Sequence, residues 1–291
     1  MRYAFIQQHA ANLPVRTMCR LLEVRPSGYY AWTQRQQQQP CRREAQKLQL
    51  IESIRLVHQQ SEGRYGSPRV HKALRKQGVV CSRKRVAKLM RQAQIRSTRH
   101  RRFRVKTTDP NHEHPLAANL LDRQFEQATI NQAWVSDITY VATDEGWLYV
   151  ASVMDLCSRR IIGWSTAEHL RAELAEAALS MAIRQRCPAA GLLHHSDRGV
   201  QYACGDYQAI LERHGITCSM SRSGNCYDNA SMESFFKTFK VELAYQEHYA
   251  TREEARRSIY SYIEVFYNRQ RLHSSLGYRS PAEYEAELGQ K

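Results

Sequence analysis

Ala133-Trp134-Val135-Ser136-Asp137-Ile138-Thr139-Tyr140-Val141 is an apolar, β-branched and aromatic run with one carboxylate in its middle. Runs of this length and composition form strands that pack on a core. A carboxylate there is costly unless something cationic satisfies it. Outward from this run, 132–143 is predicted as a first strand, Asp144-Glu145-Gly146 as a hairpin turn and 147–155 as a second strand. Ser158-Arg159-Arg160 turns into a third strand, 161–165. A helix follows, with Leu174, Ala177, Ala178, Met181 and Ile183 as its apolar side and Pro188 as its stop. A fourth strand is expected at 192–196, a helix at 206–214 ended by Gly215, and a fifth short strand at 216–221. A meander followed by βα units predicts an α/β fold: a five-stranded mixed sheet with helices on its faces.

In that sheet Asp137 and Asp197 are expected to be neighbours. Asp197 ends the run Gly191-Leu192-Leu193-His194-His195-Ser196-Asp197. Glu233 lies just inside a helix, Ala230-Ser231-Met232-Glu233-Ser234-Phe235-Phe236-Lys237, that can reach both. Each carboxylate alone reads as an independent cap or surface charge; three in these settings suggest a shared cation. Hard oxygen ligands select Mg²⁺ or Mn²⁺ over Zn²⁺. On the Glu233 helix, Asp228 or Asn229 is the expected N-cap. Met232, Phe235, Phe236, Phe239 and Leu243 bury one side, while Glu233, Lys237 and Lys240 form a stripe facing the site. That stripe also reads as an i,i+4 surface pair; beside a metal and DNA the two lysines read as phosphate contacts. Gly224 and Asn225 suit a mobile loop at the site mouth. Asp155, beside Ser158, reads as structural. His194, His195 and Ser196 lack the nucleophile elbow that a hydrolase triad would need.

Charge points the same way. The net formal charge is +15, but residues 1–106 carry 25 Lys and Arg against 4 Asp and Glu, and residues 107–291 carry 18 against 24. Such a basic third is the footprint of a polyanion-binding surface, most simply for nucleic acid. Eight cysteines include no C-x-x-C pair and no His partner at finger spacing, so reduced thiols in a cytosolic protein are expected and a zinc site is not. Neither a signal peptide nor an apolar run approaching ~18 residues is present, so no membrane span is expected.

Within the basic third, a short helix from Val15 to Leu22, a break at Pro26-Ser27-Gly28 and a second short helix are helix-turn-helix-like, followed by a polar linker over 34–40. A longer helix over 43–60 takes its apolar face from Leu48, Ile51, Ile54, Leu56 and Val57. Pro68 begins the next helix, running to Gly78. Ser82 caps a third, with Val86, Leu89 and Met90 inward and Arg83, Lys84, Arg85, Lys88 and Arg91 outward. Helix, short turn and strongly basic second helix fit a DNA-binding helix-turn-helix; a packing domain with a solvated face is the alternative. The tract 96–106 is basic and bridges towards a boundary near residue 110. The expected domains are 1–40, 41–110 and 111–291, the last with a C-terminal helical extension.

Four stretches together carry a family resemblance. They are Trp134-Val135-Ser136-Asp137-Ile138-Thr139-Tyr140, His195-Ser196-Asp197-Arg198-Gly199-Val200-Gln201-Tyr202, Asp228-Asn229-Ala230-Ser231-Met232-Glu233-Ser234-Phe235-Phe236, and Tyr267-Asn268-Arg269-Gln270-Arg271-Leu272-His273-Ser274-Ser275-Leu276-Gly277-Tyr278-Arg279-Ser280-Pro281. The chain, over about 16–285, resembles transposases encoded by the second reading frame of bacterial insertion sequences, which are similar to retroviral integrases. The resemblance implies a ribonuclease-H-like fold, a DDE triad of Asp137, Asp197 and Glu233, and a basic residue two turns after the Glu, where Lys240 stands. It implies cleavage and strand transfer on double-stranded DNA, both at terminal inverted repeats and at a target. It also implies a homo-oligomer on DNA, a possible fusion to an upstream frame, and a place at the bacterial nucleoid. Two Mg²⁺ ions roughly 3.5–4 Å apart would serve such chemistry. Asp137 would bridge both, Asp197 would hold one and Glu233 the other. Lys237, Lys240 and Arg271 join the α-helical cations as expected DNA contacts; His195, Gln201 and Asn229 are expected beside the carboxylates. Lys240 is expected to position the DNA end. Two alternatives stand: a DNA-binding regulator with an inactive catalytic domain, and a nuclease that never joins strands.

Overall fold

The computed structural model describes residues 1–37, 42–98, 116–222 and 226–289. The chain begins with α1 (Arg2–His9), α2 (Val15–Leu21) and α3 (Pro26–Gln37), packed around Ile6, Met18, Cys19 and Tyr29. Two expectations change here. Pro26 opens α3 rather than breaking a helix, because proline suits the first helical turn; the break is earlier, where Glu23 takes a φ of 53°. The helix then runs on to Gln37, into the stretch expected as linker.

Three helices follow: α4 (Arg42–Gln60), α5 (Ser67–Lys76) and α6 (Arg83–Gln92). Ser82 caps α6 as expected, its hydroxyl accepting the Arg85 N–H at 3.2 Å. Val86, Leu89 and Met90 are buried, and Arg83, Lys84, Arg85, Lys88 and Arg91 are exposed. The apolar face of α4 is a correction: Leu50, Ile54 and Val57 are buried, while Leu48 and Leu56 are exposed. The helix carries two apolar stripes, and α5 and α6 cover only one. The tract from 99 on, the turn-rich 111–115 and the boundary near 110 lie outside the described residues.

The sheet comprises β1 (Ala133–Thr143), β2 (Gly146–Asp155), β3 (Ile161–Ala167), β4 (Leu193–Ser196) and β5 (Thr217–Met220), in the order β3-β2-β1-β4-β5. The first three pair antiparallel; β4 adds parallel to β1, and β5 parallel to β4. The chain turns between β2 and β3 on Asp155, a fully buried carboxylate that accepts N–H groups from Asn131, Cys157 and Ser158. One face is covered by α7 (Ala172–Arg186), α8 (Val200–Ala203) and α9 (Gly205–Arg213) around Trp134, Ile138 and Val153. The inward side of α7 is Leu174, Ala175, Ala178, Leu179, Ala182 and Ile183; Ala177, expected inward, is exposed. Its small residues let it approach β3 so closely that a Cβ on Gly163 would stand 2.2 Å from the Ala178 carbonyl oxygen.

On the other face lie α10 (Ala230–Phe239) and α11 (Arg252–Tyr260), each continued by a π-helical segment, 240–244 and 261–267; α12 (Pro281–Leu288) follows in the chain and pairs through Glu285 with Arg160 and Arg186. Met232, Phe235, Phe236 and Phe239 of α10 pack on Val135, Val141 and Met154 of the sheet. The same cluster continues without a break into Leu50, Ile54, Val70, Leu74, Val86 and Leu89 of α4–α6. The basic helical region and the sheet region therefore share one core.

Candidate active site

Side chains alternate along a strand. Asp137 thus shares the side of Val135 and Val141, the face covered by α10. The register pairs Val135 of β1 with His195 of β4. The same offset, carried two residues on, sets Asp197 beside Asp137 at the end of β4. Asp137 Oδ1 accepts the Ile138 N–H at 2.8 Å, and Asp197 Oδ1 accepts the Gly199 N–H at 2.9 Å. A Cβ on Gly199 would come 3.0 Å from that Asp197 oxygen and 2.9 Å from Gln201 Oε1, so a larger residue here would push on both side chains. Arg198 Nε donates to the Ser221 carbonyl at 2.6 Å and staples the turn to the end of β5.

The start of α10 is fixed to the same place. Asn229 Nδ2 donates to the carbonyl of Ser136, the residue before Asp137, at 3.0 Å. Asn229 is the N-cap residue of α10, one of the two expected, but its side chain bonds Ser136 rather than the helix. Asp228 is instead fully buried and taken up by Arg222, Arg123 and Asn119, at 2.9 to 3.1 Å. These partners hold its carboxyl far below the usual carboxylate range. Glu233 then falls in the first turn of α10, where the helix dipole favours an anion.

The three carboxylates feel one another. Burial, then Asp197 and more weakly Glu233, push the Asp137 carboxyl well above its ordinary range; the Ile138 N–H and Lys240 oppose that rise. Partial enclosure also raises Glu233, which is otherwise exposed. Lys240 is half-buried, its ammonium 4.8 Å from the centre of the Tyr140 ring. Burial lowers its pKa and Asp137 raises it. Lys237 is exposed and lines a cleft of about 640 Å³ together with Ser97, Thr98, Ser234 and Ser274. Among the described residues, no three His, Cys, Asp or Glu side chains are close enough together to cage an ion. Asp137, Asp197 and Glu233 are coupled through their fields rather than by a shared point.

Three of the expected residues have polar partners within the protein. His195 is fully buried, with Nδ1 2.9 Å from Ser219 Oγ and Nε2 3.1 Å from Ser221 Oγ, and burial lowers its pKa to about 4. It locks β4 to β5 as a neutral ring. Gln201 Nε2 donates to the Leu170 carbonyl at 3.0 Å, tying α8 to the loop before α7. Arg271 is only 5% exposed, and Glu242 takes its Nε and Nη2 at 2.8 Å each. The sequence reading missed Tyr140 as the platform under Lys240, although both stand in quoted motifs. It also missed Arg123 and Arg222, whose role depends on a long-range partner. Gly224 and Asn225 lie outside the described residues.

A five-stranded mixed sheet in the order β3-β2-β1-β4-β5 with flanking helices is the ribonuclease-H-like fold of integrase cores. The Integrase core domain family matches residues 128–226, a second Integrase core domain family matches 214–281, and the HTH-like domain family matches 45–103. Transposase InsF for insertion sequence IS3A of Escherichia coli (strain K12) is 43% identical over 286 residues, covering 98% of each chain. The Insertion element IS600 uncharacterized 31 kDa protein of Shigella sonnei is 44% identical over 273 residues, covering 94% of this chain and 99% of its own. The catalytic core domain of BIV integrase aligns with 55% of this chain and 97% of its own, at 19% identity and a TM-score of 0.41. The chain belongs to the IS3-type transposase family of the DDE superfamily.

Proposed function

We infer that this protein is a DNA transposase that cleaves and joins DNA strands with the help of a divalent metal. The observation that carries this reading is the placement of Asp197, at the end of β4, and Glu233, on α10, near enough to Asp137 to raise its carboxyl. Neighbouring carboxylates have the donor chemistry for a hard cation. His194 does not compete: its Nε2 lies 2.8 Å from Ser136 Oγ and 3.1 Å from Tyr207 Oη. Asp137, Asp197 and Glu233 would hold Mg²⁺ or Mn²⁺, with Asp137 shared if two ions bind. Bound there, the metal would stabilise the charge that develops on the attacking and leaving oxygens. The chain's own residues orient this set: Asn229 fixes α10 against β1, and the Gly199 turn fixes Asp197. The intact carboxylates weigh against an inactive regulator.

The substrate is double-stranded DNA, gripped at the element's ends by the exposed cations of α6. Binding of a duplex by the full chain should fall steeply with salt. If Arg83, Lys84, Arg85, Lys88 and Arg91 each neutralise a phosphate, the slope of log affinity against log salt is about −4 to −5. Replacing Arg83, Lys84 and Lys88 by alanine should flatten it by about 3, and Arg2→Ala should leave it unchanged. A slope untouched by the triple variant would remove α6 from the interface.

Lys240 positions the DNA end. Lys240→Ala should weaken binding of the terminal base pairs, roughly tenfold, with most of the cleavage rate kept at saturating DNA; Lys240→Arg should be milder. Single-turnover cleavage across a titration of end DNA separates the two effects. A rate loss that saturation cannot rescue would place Lys240 in the chemical step.

A further inference from the structure

The turn between α4 and α5, Gly63-Arg64-Tyr65-Gly66, reaches across to the Glu233 helix. Arg64 is 7% exposed. Its guanidinium lies 4.4 Å from the centre of the Phe266 ring, and its Nε donates to the Glu242 carbonyl at 3.1 Å. Tyr65 Oη donates to the Gln270 carbonyl and accepts the Leu272 N–H, both at 3.0 Å. Arg69 Nε donates to the Leu272 carbonyl at 2.9 Å, and its Nη1 lies 3.8 Å from Glu242 Oε1. Glu242 also receives Arg271 and, at 3.0 Å, the Tyr262 hydroxyl. It sits in the π-helical turn that continues α10 beyond Glu233, a rare geometry frequent at functional sites.

Packing alone would need no such network, since apolar residues of similar shape hold segments together as well. What a polar network adds is a fixed position. Here most of the bonds that cross between the regions end on backbone groups, so they register where one backbone lies against another. We propose that Arg64, Tyr65, Arg69 and Glu242 are positioning residues. They hold α4–α6 at one setting against the Glu233 helix, directly at Glu242 and through the 270–272 segment whose Arg271 also bonds Glu242, and thereby determine which phosphodiester of a DNA gripped by α6 meets the carboxylates. This rests on the function proposed above.

The test uses the full-length chain as wild type, Tyr65→Phe, Arg69→Met and Arg69→Lys. One probe is an end-labelled duplex carrying the terminal sequence of the insertion sequence; the other is a supercoiled plasmid lacking it, in Mn²⁺. In Tyr65→Phe and Arg69→Met, plasmid nicking should stay within about twofold. Cutting of the end duplex should fall about tenfold and spread to neighbouring phosphodiesters, as misplacement of a substrate predicts. Arg69→Lys should restore part of the cut-site accuracy. Equal losses on both probes would reduce the network to a stabilising role, and an unchanged single cut site would overturn the proposal outright. Should the wild type cut neither probe, the functional reading fails. Amide hydrogen exchange over 230–244 then decides: it should quicken in Tyr65→Phe and Arg69→Met, and unchanged exchange sinks the coupling.

Discussion

Asp137→Asn is expected to abolish metal-dependent cleavage, a loss of roughly a thousandfold or more, while duplex binding stays within about twofold. The amide has the shape of the carboxyl and keeps the strand intact, but it lacks the charge that would hold the ion. The substitution should also have a stability signature of opposite sign. Burial and then Asp197 keep the folded Asp137 carboxyl protonated above the unfolded value of about 3.9. In that window the folded chain binds more protons than the unfolded one. Stability without metal therefore falls as pH rises through it. Asparagine carries no such cost, so the metal-free variant should melt higher than wild type at pH 8, with the gap closing towards pH 4. Mg²⁺ should raise the wild-type Tm more at pH 8 than at pH 5, and should not raise the variant's. Melting curves at these pH values, with and without Mg²⁺, check the sign. An active Asp137→Asn variant in Mg²⁺ would reject the assignment.

Glu242→Ala should produce the largest loss of stability, about 3–5 kcal/mol, because it leaves buried Arg271 and half-buried Arg69 without their carboxylate. In a chain of this size that lowers Tm by about 10 °C. The joint change Glu242→Met with Arg271→Met should cost less than Glu242→Ala alone, since an apolar pair leaves no charge stranded. Lys76→Ala supplies the contrast. Its pairing with Glu283 at 2.8 Å also joins the two regions, but on the surface, where a pair contributes about 0–1 kcal/mol. Denaturant titration of the four proteins ranks them. A Glu242→Ala loss no larger than that of Lys76→Ala would contradict the buried network.

The sheet and its carboxylates were legible because both signals are local. A β-branched run identifies β1, strand alternation assigns Asp137 to a face, and a short βα unit returns β4 beside it. Partners distant in sequence were not legible. Arg271 stands among cations in its motif, and nothing nearby reveals that Glu242 claims it. Asp228 precedes a helix, as a cap would, yet its partners Arg123 and Arg222 come from other segments. On α4, Leu48 and Leu56 form an apolar stripe as credible as Leu50, Ile54 and Val57, and only the placement of α5 and α6 chooses between them. The shared core of α4–α6 and the sheet face was invisible for the same reason: each surface reads as complete until the other is docked on it.

The central claim is that these carboxylates both break and join DNA strands. Its most direct test gives the full-length chain a pre-cleaved end duplex with a free 3′-hydroxyl, a supercoiled target plasmid and Mg²⁺. The account predicts end DNA joined covalently to the plasmid by the wild type and no joined product with Asp137→Asn. A nicked plasmid without joined ends would make the protein a nuclease, and joined ends made equally well by Asp137→Asn would take the chemistry away from this site.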